Sequence, residues 1–365
     1  MRAERGILIA VDSVGIDPFG HDRPESVYSD SRFLFPRGKR GEVLELSNAP
    51  LNGALVETDV TAGRERGGIE CALTYTSIFT GQSAVRRHGL VQSLGLKDQL
   101  LETMVAEHNL FALFGDACLA NAVFPAHLPF LGGSYVEDLL PHYSREVVEA
   151  GLHWRGRPVR MLGPQKRGLA ELFTLAEINQ NIFVYAARQS GVRLRTYDDV
   201  RQEEALSSSM THELEAEFDL SFFGQSPVPL RTPEQAASIL RILASQHHFI
   251  FYKYQIPDLV SHTGQIESAR AAFQTFERFV AAVLEGIDPR RTSVVVTSDH
   301  GHLEQVGFSH GHPKTKVPTW CFGQDALYTA ERLRTPEAIF HLFEEIAGRT
   351  RNHAARATYQ GGNNV

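Results

Sequence analysis

The chain has 365 residues, of which 42% are apolar and 22% are charged, and its formal net charge is −7. This composition is typical of a globular protein and excludes a disordered one, and the length favours two domains. The slight acidity gives no support for a nucleic-acid or membrane-surface binder, which carries excess basic residues. Three cysteines cannot build a disulfide framework, and no apolar run approaches the ~18 residues of a membrane span, so we predict a cytoplasmic protein.

Three short runs of β-branched and aromatic residues predict strands buried on both faces of a sheet: 6–11, 249–254 and 292–297. A loop that carries a carboxylate follows each run at once, and the three carboxylates are Asp12, Asp258 and Asp299. The carboxyl ends of parallel strands form one edge of an open α/β sheet, and such sheets bind ligands there. We therefore predict the α/β class, with a doubly wound, mainly parallel sheet and an acidic site at one edge.

Helices are predicted between the strands. Thr232, Pro233 and Gln235 form a start signal, with a capping hydroxyl, a proline at the first helical position and a capping-box partner. Apolar residues recur at helical spacing through 264–287, and Thr335 opens a helix that runs to about residue 347.

The stretch 91–220 differs from the rest of the chain, with loops that contain proline and histidine, a glycine pair and separate helical patterns. We predict that it forms an α+β cap domain inserted into a discontinuous metal-binding core made of 1–90 and 221–350. Residues 351–365, which end in a Gly- and Asn-rich sequence, are predicted to be a flexible tail.

Side chains that bind metal ions gather in the predicted strand-end loops. Asp258 and His262 are four residues apart, so one helical turn would present both to one ion. Carboxylate and imidazole together favour Zn²⁺ or Mn²⁺ over Ca²⁺, and six ligands exceed one tetrahedral site. They predict two divalent ions, a standard device for in-line displacement at phosphorus. The candidate ligands are Asp12, Asp258, His262, Asp299, His300 and His312.

The order of these motifs resembles the alkaline phosphatase superfamily. Within it, the chain is similar to the metalloenzyme domain of cofactor-independent phosphoglycerate mutase, phosphopentomutase and their uncharacterised bacterial relatives. The resemblance rests on three motifs: 11–16 (VDSVGI), 257–264 (PDLVSHTG) and 297–301 (TSDHG). The bacterial relatives also share 78–81 (IFTG) and the pair Arg87 and His88. The resemblance implies one metal site from Asp258, His262 and His312, and a second from Asp12, Asp299 and His300.

The resemblance also implies a nucleophile ten residues before the glycine of the helix motif, here Gly81, and that position holds Cys71. The phosphatase and mutase branches use Ser or Thr there, and sulfatases convert a Cys to formylglycine. Leu73 and Tyr75 depart from the sulfatase signature, so we expect no conversion. Three interpretations of the thiol stay open: a nucleophile that carries the phosphoryl group, a metal ligand beside an attacking hydroxide, or a core residue without a role.

Phosphate binding is compatible with the charge of this site, because three aspartates and a thiolate balance two divalent ions. The candidate phosphate-binding residues are Arg64, Arg66, Arg87 and His88, with Lys253 and Lys314 as weaker candidates. His302 and His310 are alternative metal ligands, and Cys118 and Cys321 are predicted core residues.

We therefore predict a two-metal-dependent phosphoryl-transfer enzyme that hydrolyses a phosphate ester of a small molecule, without a nucleic-acid or membrane partner. A hydrolase is favoured because the substrate-gripping residues of the mutases are not recognisable in the insert. The alternatives are a phosphomutase of the phosphoglycerate or phosphopentose type, a sulfatase or phosphodiesterase, and a non-catalytic metal-binding member of the family. Metal identity and oligomeric state are left open.

Overall fold

A computed structural model describes the conformation of residues 3–31, 33–35, 44–45, 53–62, 71–88, 99–123, 153–154, 157–158, 182–213, 215, 226–262, 264–307, 313, 315–324 and 326–361. The strands are β1 Arg5–Val11, β2 Leu44–Glu45, β3 Gly53–Thr58, β4 Ala117–Leu119, β5 His153–Trp154, β6 Arg157–Pro158, β7 Phe249–Tyr254, β8 Thr292–Ser298 and β9 Val317–Phe322. The helices are α1 Cys71–Thr80, α2 Ala84–His88, α3 Gln99–Glu107, α4 Leu110–Leu113, α5 Ile182–Gln189, α6 Tyr197–Arg201, α7 Pro233–Gln246, α8 Ile256–Ser261, α9 Ile266–Glu285, α10 Ala326–Arg332 and α11 Pro336–Gly361, with a 3-10 turn at Leu303–Gln305.

Seven strands form one sheet in the order β2-β3-β9-β8-β1-β7-β4. The central strand β1 pairs in parallel with β7 and β8, and β4 pairs in parallel with β7. The pairings of β8 with β9, β9 with β3 and β3 with β2 are antiparallel. The α/β class is confirmed, and the sheet is mixed: its parallel part is the four-stranded half that carries the candidate ligands.

Helices cover both faces of the sheet, as expected of strands that are apolar throughout. Phe249 and Phe251 of β7 point into one core cluster, together with side chains of α1, α3, α5 and α11. Ile250 and Tyr252, the alternate residues of the same strand, point into the other cluster with side chains of α7 and α9. A strand buried on both faces reads as one continuous apolar run, which is why β1, β7 and β8 were predictable.

The helix start at α7 has the predicted capping box. Thr232 Oγ1 accepts a hydrogen bond from Gln235 N at 3.2 Å, and Gln235 Oε1 accepts one from Thr232 N at 2.9 Å. The helix predicted over 264–287 is α9, which buries Phe273, Phe276 and Val280 along one face. Local signals therefore placed both helices correctly.

Both flanks of the stretch predicted as an inserted domain, 91–220, pack against the core. Leu101 and Met104 of α3 and Ile182 and Phe183 of α5 belong to the same core cluster as α1, and β4 extends the central sheet. These flanks bury apolar surface against the core, and of the residues between them the structure describes only the short hairpin of β5 and β6. The inserted cap domain over 91–220 stays a prediction.

The segment 351–365 was predicted as a tail, but α11 continues through it to Gly361. The helix is anchored where the tail was expected to begin, since Thr350 Oγ1 donates to the carbonyl oxygen of Glu4 at 2.6 Å and Arg351 donates to that of Leu113 at 3.3 Å. Within the described part of the chain, no helix is both long and apolar enough to cross a bilayer.

Candidate metal centre

The described candidate ligands lie at the carboxyl-terminal edge of the parallel strands. Val11 at the end of β1 is in register with Tyr254 of β7 and Ser298 of β8, so the three strands end at one level. Asp12, Asp258 and Asp299 follow these ends directly or within one helical turn. The predicted convergence at one sheet edge is therefore confirmed.

Asp12, Asp299 and His300 form a buried cluster that we call the inner group. Each offers one ligand atom, and these atoms lie within 4.8 Å of one another. His300 Nε2 is 3.3 Å from Asp12 Oδ1 and 3.8 Å from Asp299 Oδ2, and the three side chains are at most 5% exposed. His300 Nδ1 lies 3.3 Å from the carbonyl oxygen of Gly301. A proton on Nδ1 satisfies that carbonyl and leaves the lone pair of Nε2 facing the carboxylates, which is the arrangement of a ligating histidine.

Asp258, His262 and His302 form a second cluster, the outer group, whose ligand atoms also lie within 4.8 Å of one another. Asp258 and His262 lie on one turn of α8, as predicted, with His262 Nε2 3.5 Å from Asp258 Oδ1. The ring centres of His262 and His302 are 4.7 Å apart. His302, an alternative ligand in the sequence analysis, is the third member of this cluster. His312 lies outside the described residues, so its predicted role as a ligand stays a prediction.

Ser13 connects the two groups, a role that the sequence did not reveal. Its Oγ donates to Asp258 and lies 3.2 Å from His300 Nδ1, and its backbone N donates to Asp299 Oδ1 at 3.3 Å. Its carbonyl oxygen accepts from the backbone N of His302 at 3.1 Å. The residue is fully buried and has a left-handed φ of 65°. Strain of this kind persists only where surrounding contacts enforce it, and here those contacts are with the candidate ligands.

Glu304 connects the loop after β1 with the loop after β8 through hydrogen bonds. Its Oε2 accepts from the backbone N of Gly15 at 2.9 Å and from that of His302 at 3.0 Å, and Thr315 donates its hydroxyl to Oε1. A Cβ atom at Gly15 or Gly301 would collide with this carboxylate, which explains the glycine after His300. Burial raises the pKa of Glu304 to about 7.

Lys253 lies beneath the inner group. Its Nζ is 2.7 Å from Asp12 Oδ2 and 3.9 Å from Asp299 Oδ2, and the side chain is 1% exposed. The amine also lies 4.9 Å from the ring centre of Tyr75 in α1. We had considered Lys253 as a weak phosphate-binding candidate, but its ammonium faces two buried carboxylates. The available signal was a lysine in the otherwise apolar run 249–254, on the face of Phe249 and Phe251.

The two groups differ in their acid–base properties. Burial first, and then the charge of Asp299, raises the pKa of Asp12 to about 7, although Lys253 opposes this shift. Burial likewise raises the pKa of Asp299. Burial would also raise the pKa of Asp258, but hydrogen bonds with His262 and Ser13 and the nearby histidine charge hold it well below its usual range. The inner group therefore carries more negative charge than its surroundings compensate.

The side chains of both groups fit divalent ions. Asp12 Oδ1 and Asp299 Oδ2 are buried, and neither accepts a hydrogen bond from the described residues. A buried carboxylate oxygen requires a positive partner, and Lys253 contributes only one charge for two carboxylates. Mixed carboxylate and imidazole donors suit Zn²⁺ and Mn²⁺. Asp12, Asp299 and His300 would hold one ion, and Asp258, His262 and His302 the other.

Cys71 is the first residue of α1 and is half-buried. Burial raises the pKa of its thiol far above the usual range, while the charge of Lys253 lowers it and those of Asp299, Asp12 and Asp258 raise it further. The thiol is thus close enough to these side chains to feel their charges. Its placement at a helix N-terminus favours a thiolate once positive charge is added.

The predicted phosphate-binding residues are less well defined. Arg64, Arg66 and the side chain of His88 lie outside the described residues. Arg87 is exposed on α2, and its side chain donates to Gln82. Among the described residues, Arg87 has no contact with the candidate ligands. The reason is that α2 follows the C-terminal end of α1, whereas Cys71 is at the N-terminal end, and at 1.5 Å per residue α1 is about 15 Å long.

Comparison with known proteins identifies the C-terminal part of the core. Residues 231–346 match the family described as the Metalloenzyme superfamily. The 2,3-bisphosphoglycerate-independent phosphoglycerate mutase of Clostridium novyi is 34% identical over 80 residues, which cover 22% of this chain and 16% of the mutase. The enzyme of the same name from Wolinella succinogenes is 30% identical over 96 residues, or 26% of this chain and 20% of the mutase. These findings confirm the predicted resemblance to the metalloenzyme branch of the alkaline phosphatase superfamily, and the family match lies within residues 231–346.

The chain matches less than a quarter of the length of these two relatives. Among solved structures, the alkaline phosphatase from the Antarctic bacterium TAB5 aligns with 95% of this chain and 99% of its own, at 13% identity and a TM-score of 0.42. A likeness this distant has no bearing on the reaction.

Proposed function

We propose that the protein is a two-metal-dependent phosphoryl-transfer enzyme that hydrolyses phosphate esters of small molecules in the cytoplasm. One observation carries the proposal: two groups of carboxylate and imidazole side chains meet at one sheet edge, with a thiol at a helix N-terminus beside them. Bound Zn²⁺ or Mn²⁺ would supply Lewis-acid stabilisation of the charge that develops on the phosphoryl oxygens.

The side chains of the protein position the candidate metal ligands and set the charge of the site. Ser13 and Glu304 hold the loops that carry Asp12, Asp258 and His302, so the ligand atoms are positioned before substrate arrives. Lys253 adds one positive charge to the balance of aspartates, thiolate and two divalent ions. The loaded site then has one positive charge in excess, which favours a phosphate dianion.

We assign the attack to Cys71. Its thiolate forms a bond to phosphorus as the bond to the ester oxygen breaks, and the released alkoxide takes a proton from water. A second water then attacks phosphorus, the sulfur–phosphorus bond breaks, and the thiolate is regenerated as inorganic phosphate leaves. The place of Cys71 at the N-terminus of α1 supports this role over that of an inert core thiol, because a helix N-terminus and bound divalent ions both favour the thiolate.

The test is a screen of the Mn²⁺- and Zn²⁺-loaded protein on an aryl phosphate monoester, a phosphodiester and an aryl sulfate, with metal content measured on the same samples. We expect hydrolysis of the monoester, and a loss of at least ~10³-fold in Cys71→Ala with both ions retained, as for other nucleophile deletions. Cys71→Ser is the matched control, since a hydroxyl can replace the thiol in attack. Intact mass spectrometry of the quenched reaction should reveal a phosphorylated Cys71.

Three outcomes would contradict the proposal in different ways. Unchanged activity in Cys71→Ala would assign the attack to hydroxide. Isomerisation of a phosphoglycerate or phosphopentose without phosphate release would identify a mutase, the activity that its partial relatives are named for. Absence of activity with both ions bound would identify a non-catalytic metal-binding protein.

A further inference from the structure

Lys253 lies at a buried core position of β7, where apolar side chains are expected. It follows Phe249 and Phe251 on the face of β7 that packs against α1, and its side chain is as deeply buried as theirs. An ammonium group in such a place is strongly unfavourable unless it is paired. Its partners are Asp12, Asp299 and the ring of Tyr75, so every described charged contact of the amine is with the inner group.

The same contacts have opposite effects on folding and on metal binding. In the metal-free protein, Lys253 places a positive charge in contact with two buried carboxylates that follow neighbouring strands. When a divalent ion binds between Asp12, Asp299 and His300, that ion and the ammonium repel each other at short range. A side chain that stabilises the metal-free protein and destabilises the metal-bound protein lowers the affinity for the metal ion by linkage.

We propose that Lys253 is an internal counter-ion of the inner group, which keeps the metal-free site folded and weakens the binding of a divalent ion there. The second half of this statement rests on the proposed function, in that the inner group is a metal site. The first half does not, because it concerns the protein without metal.

The first experiment measures the melting temperature in EDTA at pH 8 for wild type and Lys253→Met, which keeps the length of the side chain and removes its charge. We expect a decrease of about 5–10 °C, the effect of leaving buried charge unpaired. Lys316→Met is the matched control, because Lys316 is exposed and pairs with Glu57 at 3.2 Å; its melting temperature should change by less than about 1 °C. The double variant Lys253→Met/Asp12→Asn removes one of the two carboxylates and should recover part of the loss.

The second experiment titrates Mn²⁺ into the same proteins by calorimetry. Removal of a unit charge a few ångströms from a divalent ion should tighten the first binding step at least ~10-fold in Lys253→Met. If Lys253→Met folds only after Mn²⁺ is added, that result also supports the proposal. If neither Mn²⁺ nor the Asp12→Asn change rescues its folding, charge imbalance is not the cause and the proposal fails.

The two arms separate this proposal from the proposed function. Equal melting temperatures for Lys253→Met and Lys316→Met in EDTA would overturn the counter-ion role. Unchanged or weaker Mn²⁺ binding by a folded Lys253→Met would overturn its effect on affinity. If the wild type bound neither Mn²⁺ nor Zn²⁺, the proposed function would fail, and the melting temperatures in EDTA would still decide the role of Lys253.

Discussion

The inner and outer groups use the same kinds of donor atom but are built in different ways. The inner group follows the ends of two neighbouring strands, is almost fully buried and forms an ion pair with Lys253. The outer group takes two of its three residues from one turn of α8, and the side chains of Asp258 and His262 are 25% and 47% exposed. Burial leaves the inner carboxylates short of positive charge, whereas solvent and histidine partners stabilise the outer one.

This difference indicates that similar sets of candidate ligands can contribute to stability with opposite signs. A carboxylate whose pKa is raised by folding stabilises the folded state below its ordinary pKa, and that stability is lost as pH rises through the folded value. A carboxylate whose pKa is lowered by folding has the opposite effect. Asp12 belongs to the first kind and Asp258 to the second.

The largest change in the free energy of unfolding is expected for Asp12→Asn, and Asp258→Asn should change it in the opposite direction. In EDTA at pH 8, Asp12→Asn should increase the free energy of unfolding by up to ~4 kcal/mol. The reason is that folding raises the pKa of Asp12 from 3.8 to about 7, so the charged carboxylate destabilises the folded state at this pH. Asp258→Asn should decrease it by about 1 kcal/mol, because a charge-assisted hydrogen bond is lost at a partly exposed site. Urea denaturation measures both, and at pH 4 the gain from Asp12→Asn should disappear. Changes of the same sign in the two variants would show that the groups do not differ as described.

A smaller effect is expected at Ser13, which joins the groups. Ser13→Ala loses the hydroxyl and keeps the left-handed φ of 65°, so it should cost about 2 kcal/mol. Ser13→Gly loses the same hydroxyl but adopts this φ freely, and should cost about 1 kcal/mol. The comparison by urea denaturation isolates the backbone strain from the hydrogen bonds. Equal costs for the two variants would mean that the strain is not relieved.

The smallest effect on stability is expected at the exposed end of the outer group. His262→Ala should change the free energy of unfolding by no more than ~0.5 kcal/mol, because the side chain is half exposed. It should nevertheless reduce bound Mn²⁺ from two ions to one per chain, measured by metal analysis after dialysis. His341→Ala, at an exposed histidine of α11, is the matched control and should retain both ions. Retention of two ions by His262→Ala would remove this residue from the ligand set.

The features that could be predicted from the sequence are those with a local physical cause. The strands β1, β7 and β8 are continuous apolar runs because both faces of each are covered, and the capping box of α7 involves residues three apart. Asp258 and His262 meet because four residues span one helical turn. The order of such motifs was also enough to reveal the resemblance to the superfamily, and the family match over 231–346 confirms that resemblance.

The tertiary structure decided what depends on strands that are distant in sequence. The parallel register of β1, β7 and β8 brings Asp12, Lys253 and Asp299 together across more than 280 residues, so no window of sequence contains that cluster. The burial of Lys253, the link made by Ser13 and the place of His302 in the outer group follow from that register. The sequence by itself determined which side chains could bind metal ions, because residue type and local spacing are local properties. The packing of the sheet edge determined the balance of charge around them, because that balance depends on strands that are distant in sequence.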